Sequence, residues 1–92
     1  MEKLTYFYLK GCPYCKQADK YLNELFDENP DYKKIVIDKI EETEQKALAD
    51  SYDYYFVPTF YMAKTKLFEG AANKEDIKAV LEKALKTEKV LV

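Results

Sequence analysis

A chain of 92 residues, 48% of them apolar, is enough material for one small core without crosslinks, and residues 1–92 are read as a single domain. Its formal charge of −2, with 15 basic and 17 acidic residues interleaved and no basic stripe, excludes nucleic acid as a partner. The chain contains no His, Trp or Arg, so a Cys–His nucleophile pair is excluded, and two cysteines alone cannot complete a four-ligand structural zinc site.

Residues 4–9 (LTYFYL) are aromatic and branched and stop at Lys10-Gly11, which predicts a first strand entering a tight turn. Ala18, Tyr21, Leu22 and Leu25 then recur at helical spacing, with Phe26 widening the stripe. Pro13 falls in the first turn of that helix, where its missing N–H costs nothing, and this places Cys12 at or beside the N-cap. Asn29-Pro30-Asp31 ends the helical region. Residues 34–38 read as a short buried strand, and residues 41–51 as a charged helix that buries only Ala47, Leu48 and the following Tyr52.

Residues 52–62 are an aromatic run interrupted by Pro58, a residue that fits the first position of a strand but not a central one. Residues 59–63 and 66–69 form a predicted hairpin through Lys64-Thr65, closed by Gly70. Asn73 has the character of an N-cap, with Asp76 three residues on, and Ile77, Val80, Leu81, Ala84 and Leu85 line a last amphipathic helix. The lysines and glutamates on its other side, Lys74, Glu75, Lys78, Glu82 and Lys83, read as a solvated face. Residues 90–92 either pack back or fray. The resulting order is strand-helix-strand-helix-strand-strand-helix: a mixed four-stranded sheet, α/β in class, with helices on both faces.

Cys12 and Cys15 share one tetrapeptide that closes no useful loop, so holding the fold together is not their task. The first residues carry no long apolar leader stretch and no run approaches the roughly 18 apolar residues of a membrane span. The reading is a soluble cytoplasmic monomer without a membrane partner, in a compartment that keeps thiols reduced. A C-x-x-C pair can be half of a metal site, two inert core cysteines, or a working dithiol. Strand, tight turn and Pro-started helix around the pair favour redox work. At a helix start, unpaired N–H groups and the positive end of the macrodipole favour the Cys12 thiolate and pull its pKa below ~8.5. Cys15, one turn further in, is within reach of a mixed disulfide formed at Cys12 and is expected to be more buried and less nucleophilic. Tyr14, between them, is expected to be exposed and to touch substrate. The cluster Tyr52, Tyr54, Tyr55 and Phe56 is expected to pack under the sheet, the alternative being a sticky rim beside Cys12.

Cys12-Pro13-Tyr14-Cys15 resembles the active-site tetrapeptide of dithiol glutaredoxins, and Val57-Pro58 resembles the cis-proline segment of the thioredoxin superfamily. The resemblance spans nearly the whole chain. It implies the thioredoxin fold, a disulfide reductase acting on protein or mixed disulfides, a cis Val57–Pro58 bond facing Cys12, and a Val57 backbone that pairs with an extended substrate peptide. It also implies glutathione as reductant, at a site formed by Lys10, Tyr14, Val57, Pro58, Gly70 and Ala71, with no tightly bound cofactor. Three departures make that site weak: Phe56 precedes Val57-Pro58 where glutaredoxins have Thr, Gly70-Ala71-Ala72-Asn73 replaces Gly-Gly followed by Asp, and Lys10 is one place late, Leu9 filling the usual basic position. Pro58-Thr59 and residues 69–77 resemble thioredoxin instead, whose buried strand Asp falls at Tyr6 and whose Trp-Cys-Gly-Pro-Cys is absent. The alternatives are a thioredoxin-like reductase recharged by a flavoprotein thioredoxin reductase and a non-catalytic carrier of an iron–sulfur cluster.

Overall fold

A computed structural model describes residues 3–90, with side chains as far as residue 86. The question of how residues 90–92 pack therefore lies outside the described side chains. Four strands, β1 (Leu4–Tyr8), β2 (Ile37–Glu41), β3 (Thr59–Met62) and β4 (Thr65–Glu69), form one sheet in the order β2-β1-β3-β4. The β1·β2 pairing is parallel, while β1·β3 and β3·β4 are antiparallel. Among the described residues three α-helices, α1 (Pro13–Glu28), α2 (Lys46–Asp50) and α3 (Lys74–Val90), complete the mixed α/β fold that the element order predicts and that the resemblance implies to be thioredoxin-like.

The period of two along the strands sorts side chains between the faces. Leu4, Tyr6, Phe60 and Met62 point to one face, where they meet Ala18, Leu22 and Leu25 of α1 and Ile77, Val80, Leu81, Ala84 and Leu85 of α3. Each fully buried Leu or Ile there stabilises the fold by about 1.5–3 kcal/mol. Phe7, Ile40 and Tyr61 point to the other face, where Ala49 of α2 and the half-buried Tyr52, Tyr54 and Val57 cover them.

Two predicted elements differ in position. The strand expected at 34–38 begins three residues later, because the Asn29 side chain accepts the Asp31 N–H at 3.1 Å and opens a 3-10 turn, Pro30–Lys34, that absorbs the start of the run. The helix expected over 41–51 shortens to Lys46–Asp50. Glu41 belongs to β2, is 4% exposed, and its carboxylate accepts the N–H and hydroxyl of Thr43, each at 2.6 Å, and the N–H of Lys10 at 3.0 Å, so the chain is tied into a turn where a helix would otherwise start. In the shortened helix Ala49 is the buried residue, and Ala47 and Leu48 face outward.

The hairpin turns at Ala63-Lys64, one residue earlier than predicted, with Ala63 at φ +53°, in the left-handed region. A reciprocal cap opens α3: Asp76 N–H donates to Asn73 Oδ1 at 2.8 Å and Asn73 N–H to Asp76 Oδ2 at 3.0 Å. Two members of the face read as solvated are tethered instead. Lys74 pairs with Glu24 at 3.2 Å and with Glu28, and Glu82 accepts the Tyr32 hydroxyl at 2.6 Å.

Candidate active site

The site begins where β1 runs out. Gly11 adopts φ +83°, a conformation that favours glycine, and Cys12 N–H donates to the Leu9 carbonyl at 3.2 Å, closing the turn. Cys12 is the N-cap of α1, in extended backbone conformation, Pro13 opens the helix, and Lys16 N–H donates to the Cys12 carbonyl at 3.1 Å. The sequence-based placement of Cys12 at the helix start matches this geometry.

The two thiols stand in opposite environments. Cys12 is half-buried and closes no full capping hydrogen bond, but the N–H of Cys15, the Cys15 thiol and the N–H of Tyr14 all face its sulfur. Burial works against the Cys12 thiolate, and the Glu42 carboxylate opposes it as well; the facing donors outweigh both, and the pKa lies below the ordinary thiol value. Cys15 is 2% exposed. Burial pushes its thiol up to about 12, the neighbouring Cys12 and the Asp19 carboxylate add to the rise, and only the Leu9 N–H works against it. One sulfur is reachable and biased toward its thiolate, while the other is covered and biased toward its neutral thiol.

Beneath Cys15 lies a polar group in which Tyr6, at the position of thioredoxin's buried Asp, meets two residues that the sequence does not single out, Asp19 and Lys39. The Tyr6 hydroxyl donates to Asp19 Oδ1 at 2.9 Å and lies 3.2 Å from the Cys15 carbonyl, and Lys39 Nζ reaches Asp19 Oδ2 at 3.1 Å while sitting over the Tyr8 ring at 4.6 Å. Burial and the Asp19 charge hold Tyr6 far above the usual phenol range, so it is a neutral donor. The available signal was the i, i+4 spacing of Cys15 and Asp19, which puts both on one side of α1; nothing local could have brought in Lys39 from β2.

The other predicted site residues divide. Tyr14 is 55% exposed beside the thiols, as anticipated. The Val57–Pro58 bond is cis, Pro58 is fully buried, and its carbonyl accepts the Gly70 N–H at 2.8 Å, so the proline segment and the hairpin end are joined. Among the described residues no hydrogen bond within the chain engages the N–H or the carbonyl of Val57 itself. Ala71 is exposed just ahead of α3. The Lys10 ammonium is occupied: it pairs with Glu44 on the far side of the turn. The aromatic cluster splits, with Tyr52 and Tyr54 packing on Phe7 at 4.9 Å between ring centres while Tyr55 and Phe56 are 84% and 68% exposed. The Glu69 carboxylate accepts the N–H groups of both exposed residues, which holds the loop outward instead of letting it pack under the sheet.

The thioredoxin family model matches residues 2–83, including both cysteines and the cis proline. The chain belongs to the thioredoxin family. As a thioredoxin-family thiol–disulfide oxidoreductase it carries its redox pair as Cys12-x-x-Cys15. No curated protein matches it. Solved structures share the fold. A structure titled as a malarial protein superposes with a TM-score of 0.69 at 23% identity, covering 92% of this chain and 98% of that one. The oxidised thioredoxin of Plasmodium falciparum gives 0.68 at 23% identity, over 89% of this chain and 79% of that one. A point mutant of the Halobacterium salinarum thioredoxin gives 0.66 at 23% identity, over 91% and 74%. No helix among the described residues is long and apolar enough to cross a membrane.

Proposed function

We propose that this thioredoxin-family chain is a monomeric, cytoplasmic dithiol reductase of protein and mixed disulfides, using a glutaredoxin-type tetrapeptide. The observation that carries the reading is the contrast between Cys12, exposed to helix N–H donors with a lowered pKa, and Cys15, buried with a raised one. The Cys12 thiolate attacks one sulfur of a substrate disulfide, forming a Cys12–substrate bond and expelling the other sulfur as a thiolate. Cys15 then gives up its proton to water, from which the expelled substrate thiolate can take one, and attacks the Cys12 sulfur. That step closes the Cys12–Cys15 disulfide and releases the second substrate thiolate, two electrons having passed to the substrate. The free N–H and carbonyl of Val57 are suited to pair with an extended substrate strand.

The oxidised pair needs two electrons back. Glutathione is the donor in this reading, bound weakly near Lys10, Tyr14, Val57, Pro58, Gly70 and Ala71. Weakness follows from the absence of Arg, from the engagement of Lys10 with Glu44, and from the Asn73–Asp76 cap, which already occupies N–H groups at the start of α3. The family match together with the engaged Lys10 favours a second reading, in which a flavoprotein thioredoxin reductase supplies the electrons. Steady-state reduction of the oxidised protein by each donor in parallel tests both. Turnover that rises without saturating over millimolar glutathione is the expected result, and efficient flavoprotein turnover with none by glutathione would transfer the assignment to the thioredoxin type.

A further inference from the structure

A cleft of about 440 Å³ opens between the turn after β2, α2 and the aromatic loop. That volume falls in the range of small-ligand clefts. Its walls are the rings of Tyr52, Tyr54 and Tyr55, and its polar groups are Glu42, Asp50 and Lys46. The Tyr54 hydroxyl donates to Glu42 Oε1 at 2.8 Å, and Asp50 lines the same cleft. Lys46 is paired with Asp50 at 2.7 Å across an exposed i, i+4 contact, the weak kind that an incoming cation can displace.

The cleft borders the end of β1, which leads into the thiol turn, through Glu42. Glu42 N–H donates to the Tyr8 carbonyl at 2.9 Å, four residues before Cys12, and the Glu42 charge reaches the Cys12 thiol. On the opposite wall Tyr55 lies three residues ahead of Pro58. We propose that this cleft is a specificity subsite for the basic side chain, Lys or Arg, of a residue flanking the disulfide in a protein substrate. The inference rests on the disulfide-reductase reading and names its substrate class. Tyrosine faces attract cations, and the fold already uses the same contact, Lys64 lying 4.3 Å from the Tyr52 ring centre. A cation set against Glu42 also offsets the charge that opposes the Cys12 thiolate, so the preferred substrate promotes its own attack.

The test uses three peptides, Ala-Cys-Ala-Xaa with Xaa as Arg, Gln or Glu, each joined through its Cys to thionitrobenzoate, whose release on attack by Cys12 is coloured. The reduced protein should react with the Arg peptide about five-fold faster than with the Gln peptide, the Glu peptide being slowest, and the ratio should shrink in about 1 M salt. In the Glu42→Gln/Asp50→Asn protein the Arg-to-Gln ratio should fall to near one, and Glu42→Lys should invert the order. A ratio near one in the unaltered protein, or one that survives both substitutions, overturns the subsite. A separate arm titrates the Cys12→Ser/Cys15→Ser protein with the Cys-free peptide Ala-Ser-Ala-Arg and follows backbone amide shifts. Shifts at Glu42, Asp50, Tyr54 and Tyr55 uphold the cleft even if no peptide disulfide is reduced, a result that would sink only the reductase reading; no shifts there overturn it.

Discussion

The two faces of the sheet are built by different means. Under α1 and α3 the contact is long, periodic and apolar, with Tyr6, Leu22, Phe60, Ile77 and Leu81 closing against one another. Over the other face the cover is a five-residue helix and an irregular aromatic segment, tied by polar bonds: Tyr54 to Glu42, Tyr61 to the Asp53 carbonyl, and the Glu69 carboxylate to the N–H groups of Tyr55 and Phe56. The first face rests chiefly on apolar area, while the smaller apolar cluster of the second, around Phe7, Ile40 and Tyr61, is supplemented by these polar bonds. The chemistry sits at the seam, where β1 hands over to α1. A chain of this size can thus keep stability on one side while leaving the other open to shape recognition.

The largest effect should appear at the seam and leave both faces untouched. Cys12→Ser is expected to lower disulfide exchange by about 10³-fold or more with an unchanged melting temperature, whereas Cys15→Ser should still accumulate a mixed disulfide visible by mass spectrometry. Trapping on Cys15 at equal speed in the Cys12→Ser protein would reverse the roles. Alkylation rates against pH give the companion test: Cys12 should become reactive below the pH at which a free cysteine does, and Cys15 only near pH 12.

On the apolar face, Leu81→Ala should destabilise the fold by about 2–5 kcal/mol, read by denaturant unfolding, with exchange per folded molecule preserved. A loss below 1 kcal/mol would mean that this face is not the main source of stability. The polar face should answer to acid instead. Hydrogen bonds from Thr43 to Glu41, and the Lys66 ammonium beside Glu69, hold both carboxyls near pH 2 in the fold against an ordinary 4.5. Folding therefore binds these carboxylates in their charged form, so their contribution is complete above about pH 5 and is lost as pH falls through 4.5 towards 2. Glu41→Gln and Glu69→Gln should each flatten the stability profile in that window, and an unchanged slope in both would remove the role given to charge.

Smaller changes sharpen the contrast. Tyr54→Phe removes one hydroxyl bond of the cover and should cost about 1 kcal/mol, less than any truncation under α3. Ala63→Gly, at the hairpin turn, relieves a left-handed residue and should raise stability by about 0.5–1 kcal/mol.

What could be read from the residues follows the same division. The stripes of α1 and α3, the Cys12 cap and the Asn73 cap depend on spacing within one segment, and all appear in the structure where the spacing puts them. The shift of β2 depends on the Asn29 side-chain amide, which opens a local turn, while the shortening of α2 and the outward turn of Tyr55 and Phe56 depend on the Glu41 and Glu69 carboxylates, which bind backbone N–H groups. Hydrophobic periodicity has no record of such bonds. Asp19 illustrates the limit at the site: its place one turn after Cys15 was readable, but its bond to Tyr6 and its ion pair with Lys39 exist only once β1 and β2 lie side by side.

Glu41 carries one further consequence. Its carboxylate clasps the backbone just before Cys12 and the backbone just after β2 at once, so the thiol turn and the turn bordering the cleft share a single clamp. The two loops therefore form one cassette whose lengths are matched: a residue added between Tyr8 and Cys12 would have to be answered by one between Glu41 and Lys46. Anyone transplanting this active-site turn into another scaffold must carry both loops and the glutamate together.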